Sequence, residues 1–177
     1  MSTALEPVAP PTLRLGERFR AARRGVVLVD DERVRAHFAL PVPAGSTLRV
    51  HRRMTNPARP QGLRLRAPVD LVVAGVRTRD LVLWSSTAPE VVEVVVDSRE
   101  DCTIDLWNTW RSDGIVHAWI GHAGMLVETD LTGEHPAVVL WCSDGTGRVS
   151  FDDLVVAVEI AVPVAEPTVG AAATTSA

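Results

Sequence analysis

The chain of 177 residues contains no lysine and no tyrosine, and only 5% of it is aromatic. Without lysine, all 18 basic residues are arginines. That weakens a nucleic-acid reading only slightly, because the planar guanidinium is the better phosphate ligand. Cysteine is scarce too: Cys102 and Cys142 stand 40 positions apart, which matches neither a metal-ligand spacing nor a disulfide framework. They read as two reduced, buried thiols, with one structural disulfide as the alternative. Long apolar runs are missing. Val91–Val96 is interrupted by Glu93, far short of the roughly 20 residues a membrane-spanning helix needs. The proline-rich Met1–Pro11 and the Arg-studded Leu13–Arg24 lack the basic start and apolar stretch of a secretory signal, so a cytoplasmic protein is expected. Finally, no Gly-x-Ser-x-Gly, His-Glu-x-x-His or phosphate-binding loop occurs, and neither cysteine has a histidine close in sequence to activate it.

What is present is a chain that is 46% hydrophobic. That excludes a disordered or collagen-like protein and supports one domain with its own core. The net charge of −4 conceals a division. Residues 1–79 hold 15 Arg against 6 acidic residues, whereas residues 80–177 hold 3 Arg against 16 acidic residues and all five Trp. Arg49, Arg64 and Arg66 alternate with apolar residues and point outward on their strands, with Arg52, Arg53 and Arg59 nearby. Such a face could meet phosphate, nucleic acid or an acidic protein. The two halves must pack together, however, so the expectation is internal pairing of these arginines with the acidic half, and nucleic acid is not the expected partner.

Proline, alanine and threonine without periodicity mark tails at 1–12 and 163–177, leaving a body at 13–162. Leu13, Leu15, Phe19 and Ala22 share one face of a short amphipathic helix over Leu13–Arg24, suited to capping the domain or docking on a partner. From Gly25 onward a Val-rich period of two predicts strands at Gly25–Asp30, Arg33–Leu40, Thr47–Met54, Gly62–Ala67, Asp70–Val76, Asp80–Trp84, Val91–Asp97, Cys102–Trp110, Ile115–Gly121, Met125–Asp130, Ala137–Cys142 and Phe151–Val162. Turn residues separate them at Pro43–Ser46, Ser112–Gly114, Thr132-Gly133 and Ser143–Gly145. The fold class is therefore all-β, an antiparallel jelly-roll-like β-sandwich of about 10–12 short strands. No βαβ alternation or internal repeat competes with it.

Two stretches carry candidate chemistry. In Cys102–Gly121, if Ile104 and Leu106 on one strand and Val116, Ala118 and Ile120 on the next face the core, then Asp105, Trp107, His117 and Trp119 gather on one outer face. An indole covers the apolar C–H side of a pyranose while carboxylate and imidazole take its hydroxyls. The alternative is that these Trp residues are core. In Cys142–Leu154, Asp152 is in phase with Leu154, Val156, Val158 and Ile160, which puts a carboxylate on an apolar face and demands a partner. A Ca²⁺ ion held by Asp144, Asp152 and Asp153 with loop carbonyls would supply one. Local hydrogen bonds, with an Asx turn of Asp144 with Gly145 and with Asp152 bonding loop amides or Arg148, are the alternative. His117, His122 and His135 are a weaker metal candidate.

The run Leu140-Trp141-Cys142-Ser143-Asp144 through Phe151-Asp152-Asp153-Leu154 to Ile160 resembles the terminal calcium loop and last strand of bacterial calcium-dependent galactose-binding lectins of jelly-roll fold. The resemblance covers about 20 residues. It implies Asp144 and Asp152 as ligands of both ion and sugar, while Arg148 and Phe151 stand where that family has Thr and Asn. The Trp-Asn-x-Trp strand, Ala123–Met125 and Phe-Asp-Asp-Leu-Val-Val also resemble small actinobacterial proteins. The expectation is a non-enzymatic ligand-binding module, with calcium-dependent carbohydrate binding. Its partners would be carbohydrate, another protein or a second copy of the chain, and not a membrane. A structural protein docking through its N-terminal segment and tails is the second reading. A cyclase or isomerase working by pocket shape, which leaves no motif, is the third.

Overall fold

The computed structural model describes residues 14–22, 25–132 and 135–163. The two expected tails lie almost entirely outside that set, as do Leu13 and the Arg23-Arg24 end of the expected helix. The architecture is all-β and antiparallel, with twelve strands and one short helix. No helix among the described residues is long and apolar enough to cross a membrane. The helix α1 (Leu15–Ala21) is followed by β1 (Val26–Val29), β2 (Glu32–Arg35), β3 (Phe38–Val42), β4 (Thr47–Thr55), β5 (Gln61–Val73) and β6 (Val76–Trp84). Then come β7 (Val91–Asp97), β8 (Cys102–Ser112), β9 (Ile115–His117), β10 (Gly124–Asp130), β11 (Ala137–Ser143) and β12 (Leu154–Ala161).

Hydrogen-bonded neighbours run β1-β2-β10-β11-β12-β4-β7-β5-β8-β3, with β6 on β5 and β9 on β8. The path folds over at β5. Its first part, Gln61–Arg66, pairs with β8, and its last part, Asp70–Val72, pairs with β7. Two strands, Gly62–Ala67 and Asp70–Val76, are expected here, and Pro68, which has no N–H for a ladder, lies between them. The chain instead makes one long strand with a register shift between Arg66 and Leu71. Pro68 falls in that irregular stretch, where its missing donor leaves no ladder bond unmade.

The inward residues of the two layers form one core. Leu48, Val50, Val94, Val96, Leu140, Val156 and Val158 come from one side and Leu40, Leu63, Leu65, Ile104 and Leu106 from the other. Eleven hydrophobic side chains among the largest, including Leu40, Leu48, Leu63 and Leu140, are below 2% exposed, and at ~25 cal/mol per Å² such burial is the main driving force of the fold. A smaller cluster seats Leu15 and Phe19 of α1 on Val34 and Ala36. The described part of the helix thus packs Leu15 and Phe19 on its own domain.

Two strand expectations change. The predicted strand Arg33–Leu40 is two strands: β2 pairs with β1 and β10, β3 pairs with β8, and Ala36-His37 carries the chain from one layer to the other. The predicted strand Ile115–Gly121 ends at His117.

The expected pairing of the charged halves takes definite form. Arg49 meets Glu159 at 3.8 Å, Arg59 meets Asp144 at 2.6 Å, Arg64 meets Asp80 at 2.6 Å, and Arg77 bonds Asp97. Most of these pairs are exposed and contribute about 0–1 kcal/mol each. Arg59–Asp144 is the exception, since Asp144 is wholly buried.

Both cysteines are free, so the single-disulfide alternative falls. Burial pushes the Cys142 thiol far above its ordinary range, with the Asp153 carboxylate adding to the shift, and burial followed by Asp101 raises half-buried Cys102 more gently. Since the thiolate is the reactive form, native protein should titrate at most one of its two thiols with a disulfide reagent at pH 8, and both after denaturation. Rapid reaction of both in the native state would contradict the packing of Cys142.

Candidate functional site

The register of β8 and β9 decides which hairpin residues meet. Trp110 pairs with His117, so His117 lies on the face of Ile104 and Leu106, opposite to that of Asp105 and Trp107. Its ring stacks on Trp110, with centroids 5.7 Å apart. His117 therefore leaves the expected site. Strand parity failed because only the pairing partner, not the apolar alternation, fixes the face of so short a strand.

Trp119 joins the site by a different route. It lies past the end of β9 with φ +58°, a left-handed conformation that costs a residue with a Cβ roughly 1–2 kcal/mol. Three contacts hold it. Its Nε1 donates to the Ala36 carbonyl at 3.0 Å. Its own carbonyl lies against α1, where a Cβ on Gly16 would sit 2.5 Å from that oxygen. Two residues on, the Gly121 carbonyl accepts the Gly16 amide at 3.0 Å. The result is an indole 45% exposed at the surface, standing 5.1 Å from the ring of Trp107 at an interplanar angle of 34°. Strain of this kind persists only where the surroundings over-determine it, and it concentrates at sites of function.

Trp107 is 5% exposed. It is packed between Trp119 and the Arg64 guanidinium, which lies 5.4 Å from its ring centroid. It belongs to the buried core, as the alternative expectation has it, and also floors a shallow pocket of about 170 Å³. Asp105, Arg66, His37 and Trp119 complete the lining. Arg66 and Asp105 are direct cross-strand partners on β5 and β8, and His37 is delivered by the crossing between layers. Of the expected set, the structure brings Asp105, Trp107 and Trp119 around one pocket without His117, and adds Arg66 and His37. The alternation Leu63-Arg64-Leu65-Arg66 held a signal for Arg66, since it marks an outward arginine. Nothing in the sequence marks His37, because the turn at Ala36 depends on a layer change.

Larger hollows occur elsewhere. One of about 380 Å³, lined by Pro41, Val42, Pro43, Cys102 and neighbours, lies toward the far end of the same β3–β8 pair. Another of about 490 Å³ lies between Arg49, Glu93, His135 and Glu159. Neither lining includes an aromatic ring other than that of His135. Specificity comes from convergent polar groups beside an apolar wall, so the smaller pocket is the better candidate despite its size.

In the acidic loop the expected Asx turn at Asp144 forms, whereas Asp152 bonds the Ser150 hydroxyl and, among the described residues, neither a loop amide nor Arg148. Asp144 is fully buried and accepts Arg59 Nη1 at 2.6 Å, Gln61 Nε2 at 2.8 Å and the Thr146 amide at 2.8 Å. Asp153, also buried, accepts Asn56 Nδ2 at 2.7 Å and the Asp144 amide at 3.0 Å. Asp152 is exposed and bonded by Ser150. The expected placement of Asp152 on the apolar face is corrected: β12 starts at Leu154, so strand phase does not extend back to residue 152, and Asp153 turns inward instead. Among the described residues no group of three metal-ligating side chains forms, the His117, His122 and His135 set included. The Arg59 guanidinium stands against Asp144, and Asp144, Asp152 and Asp153 form no three-carboxylate group. The chain matches no protein-family model, no curated protein and no solved structure.

Proposed function

We propose that the chain is a non-enzymatic ligand-binding β-sandwich module that takes one pyranose ring of a carbohydrate at the Trp119 pocket. The observation that carries this reading is a strained, exposed indole braced over a pocket whose polar lining, Asp105 and His37, stands beside an aromatic floor. The exposed ring offers an apolar face to sugar C–H groups, and Asp105 accepts hydroxyl hydrogens. Binding fits better than cleavage. The lining has one carboxylate and no hydroxyl or thiol side chain, whereas glycoside hydrolysis generally uses a pair of carboxylates across the scissile bond. The reading uses no calcium, because Asp144 belongs to a separate network.

Titration with a panel of neutral and acidic monosaccharides, followed by tryptophan fluorescence and by the shift of the Trp119 indole N–H resonance, should give a dissociation constant on the order of 1 mM. That is what about −0.3 kcal/mol per heavy atom gives for a ring of about a dozen atoms. Trp119→Ala should weaken binding at least tenfold, about 1.4 kcal/mol or more. A panel that moves neither signal in the wild type would end the proposal.

A further inference from the structure

Resting on that pocket as a pyranose site, we propose that its pyranose is a uronic acid, whose carboxylate is held by Arg66. The β5 register sets Arg66 between Asp80 on β6 and Asp105 on β8. Asp80 is already engaged, for Arg64 Nε and Nη2 both donate to its carboxylate at 2.6 Å. Arg64 in turn is fixed by that fork and by its place over Trp107. Among the described residues no hydrogen bond, and no ion pair within 4.0 Å, engages the side chain of Arg66 or of Asp105. The pocket thus keeps a guanidinium that touches Asp80 only through space and a carboxylate, neither of them hydrogen-bonded among the described residues, on neighbouring strands with an aromatic wall beside them.

A neutral hexose answers only part of that arrangement. Its hydroxyls can donate to Asp105, but it leaves the five N–H donors of Arg66 to water. A hexuronic acid carries ring hydroxyls on one side and a planar carboxylate on the other. That carboxylate matches the guanidinium fork in bidentate geometry, which an ammonium could not offer. The hydroxyls remain for Asp105, and the ring face for Trp119. Because Arg66 is exposed, part of the preference is electrostatic and falls with ionic strength.

The test compares D-glucuronate with D-glucose and D-galacturonate with D-galactose on the full chain, with acetate as a carboxylate lacking the ring. The acidic member of at least one pair should bind about tenfold tighter at low salt, as a charge-assisted pair of hydrogen bonds gives. Acetate should bind far more weakly. Arg66→Gln should collapse the acidic-to-neutral ratio toward one, and Arg66→Lys should restore only part of it. Equal binding of acidic and neutral sugars, a ratio unchanged in Arg66→Gln, or acetate matching the uronates would overturn the uronate assignment and leave the pyranose site standing. Absence of Trp119-dependent binding by every sugar would overturn both.

Discussion

Replacing Arg59 with alanine should lower the unfolding free energy by about 3 kcal/mol, the low end of the 3–5 kcal/mol seen when one partner of a buried ion pair is removed. The low end applies because the Arg59 side chain keeps 24% of its exposure while Asp144 keeps none. Without the guanidinium the Asp144 carboxylate stays buried with only Gln61 and the Thr146 amide to bond it. Those bonds do not compensate its lost hydration. Asp144→Asn in the Arg59→Ala background removes the orphaned charge, so the double variant should be more stable than Arg59→Ala alone by about 1 kcal/mol or more. Urea unfolding at neutral pH measures both. A loss within about 0.5 kcal/mol for Arg59→Ala, the range of an ordinary surface substitution, would show that the pair does not hold the loop.

Gly121→Ala should be comparably damaging, at about 2–5 kcal/mol, combining a left-handed backbone with an overpacked contact. Gly121 has φ +58°, and a Cβ there would collide with the backbone carbonyl of Gly145, which has no flexible end to move aside. Gly147 provides the comparison, for it has φ +76° with nothing near its would-be Cβ. Gly147→Ala should therefore cost only about 1 kcal/mol, the conformational part alone. The difference between the two variants in thermal or urea melts isolates the contact. Gly121→Ala should also shift Trp119 emission, because the loop that holds that ring is the one displaced. Equal losses for both variants would mean that the 119–121 loop is not clamped against the acidic loop.

Three features that are separate in sequence come together in the fold. Helix α1, the end of the Trp-rich hairpin and the acidic loop meet around Gly121. Gly16 bonds it from one side, and the Gly145 backbone closes on it from the other. The acidic loop, expected to hold an ion, instead supports the loop that holds Trp119. The Arg59–Asp144 pair matters to the pocket through that support.

Much of this was legible beforehand. The period-two alternation around Val92, Val94 and Val96 or Leu48 and Val50 fixes both strand and face, since burial of one side of a pleated strand leaves no other phase. The opposite charge of the two halves anticipates Arg59–Asp144, Arg64–Asp80 and Arg49–Glu159. The apolar face of α1 is visible in Leu15 and Phe19. Alternation misleads where a strand is short or has ended. His117 takes its face from Trp110, Asp152 precedes its strand, and Trp119 follows one.

The sequence by itself determined an all-β antiparallel chain, the inward and outward residues of its longer strands, a short amphipathic helix and the opposite charge of its two halves. Each is a consequence of local periodicity or of charge count. Tertiary structure alone decided which tryptophan is floor and which is exposed, that Arg66 and His37 share a pocket with Asp105, and that a guanidinium sits against Asp144. Those depend on cross-strand register, on the layer change at Ala36 and on loops packed backbone to backbone. Such contacts join residues far apart in the chain, more than 80 positions for Trp119–Ala36 and Arg59–Asp144, and no local pattern encodes them.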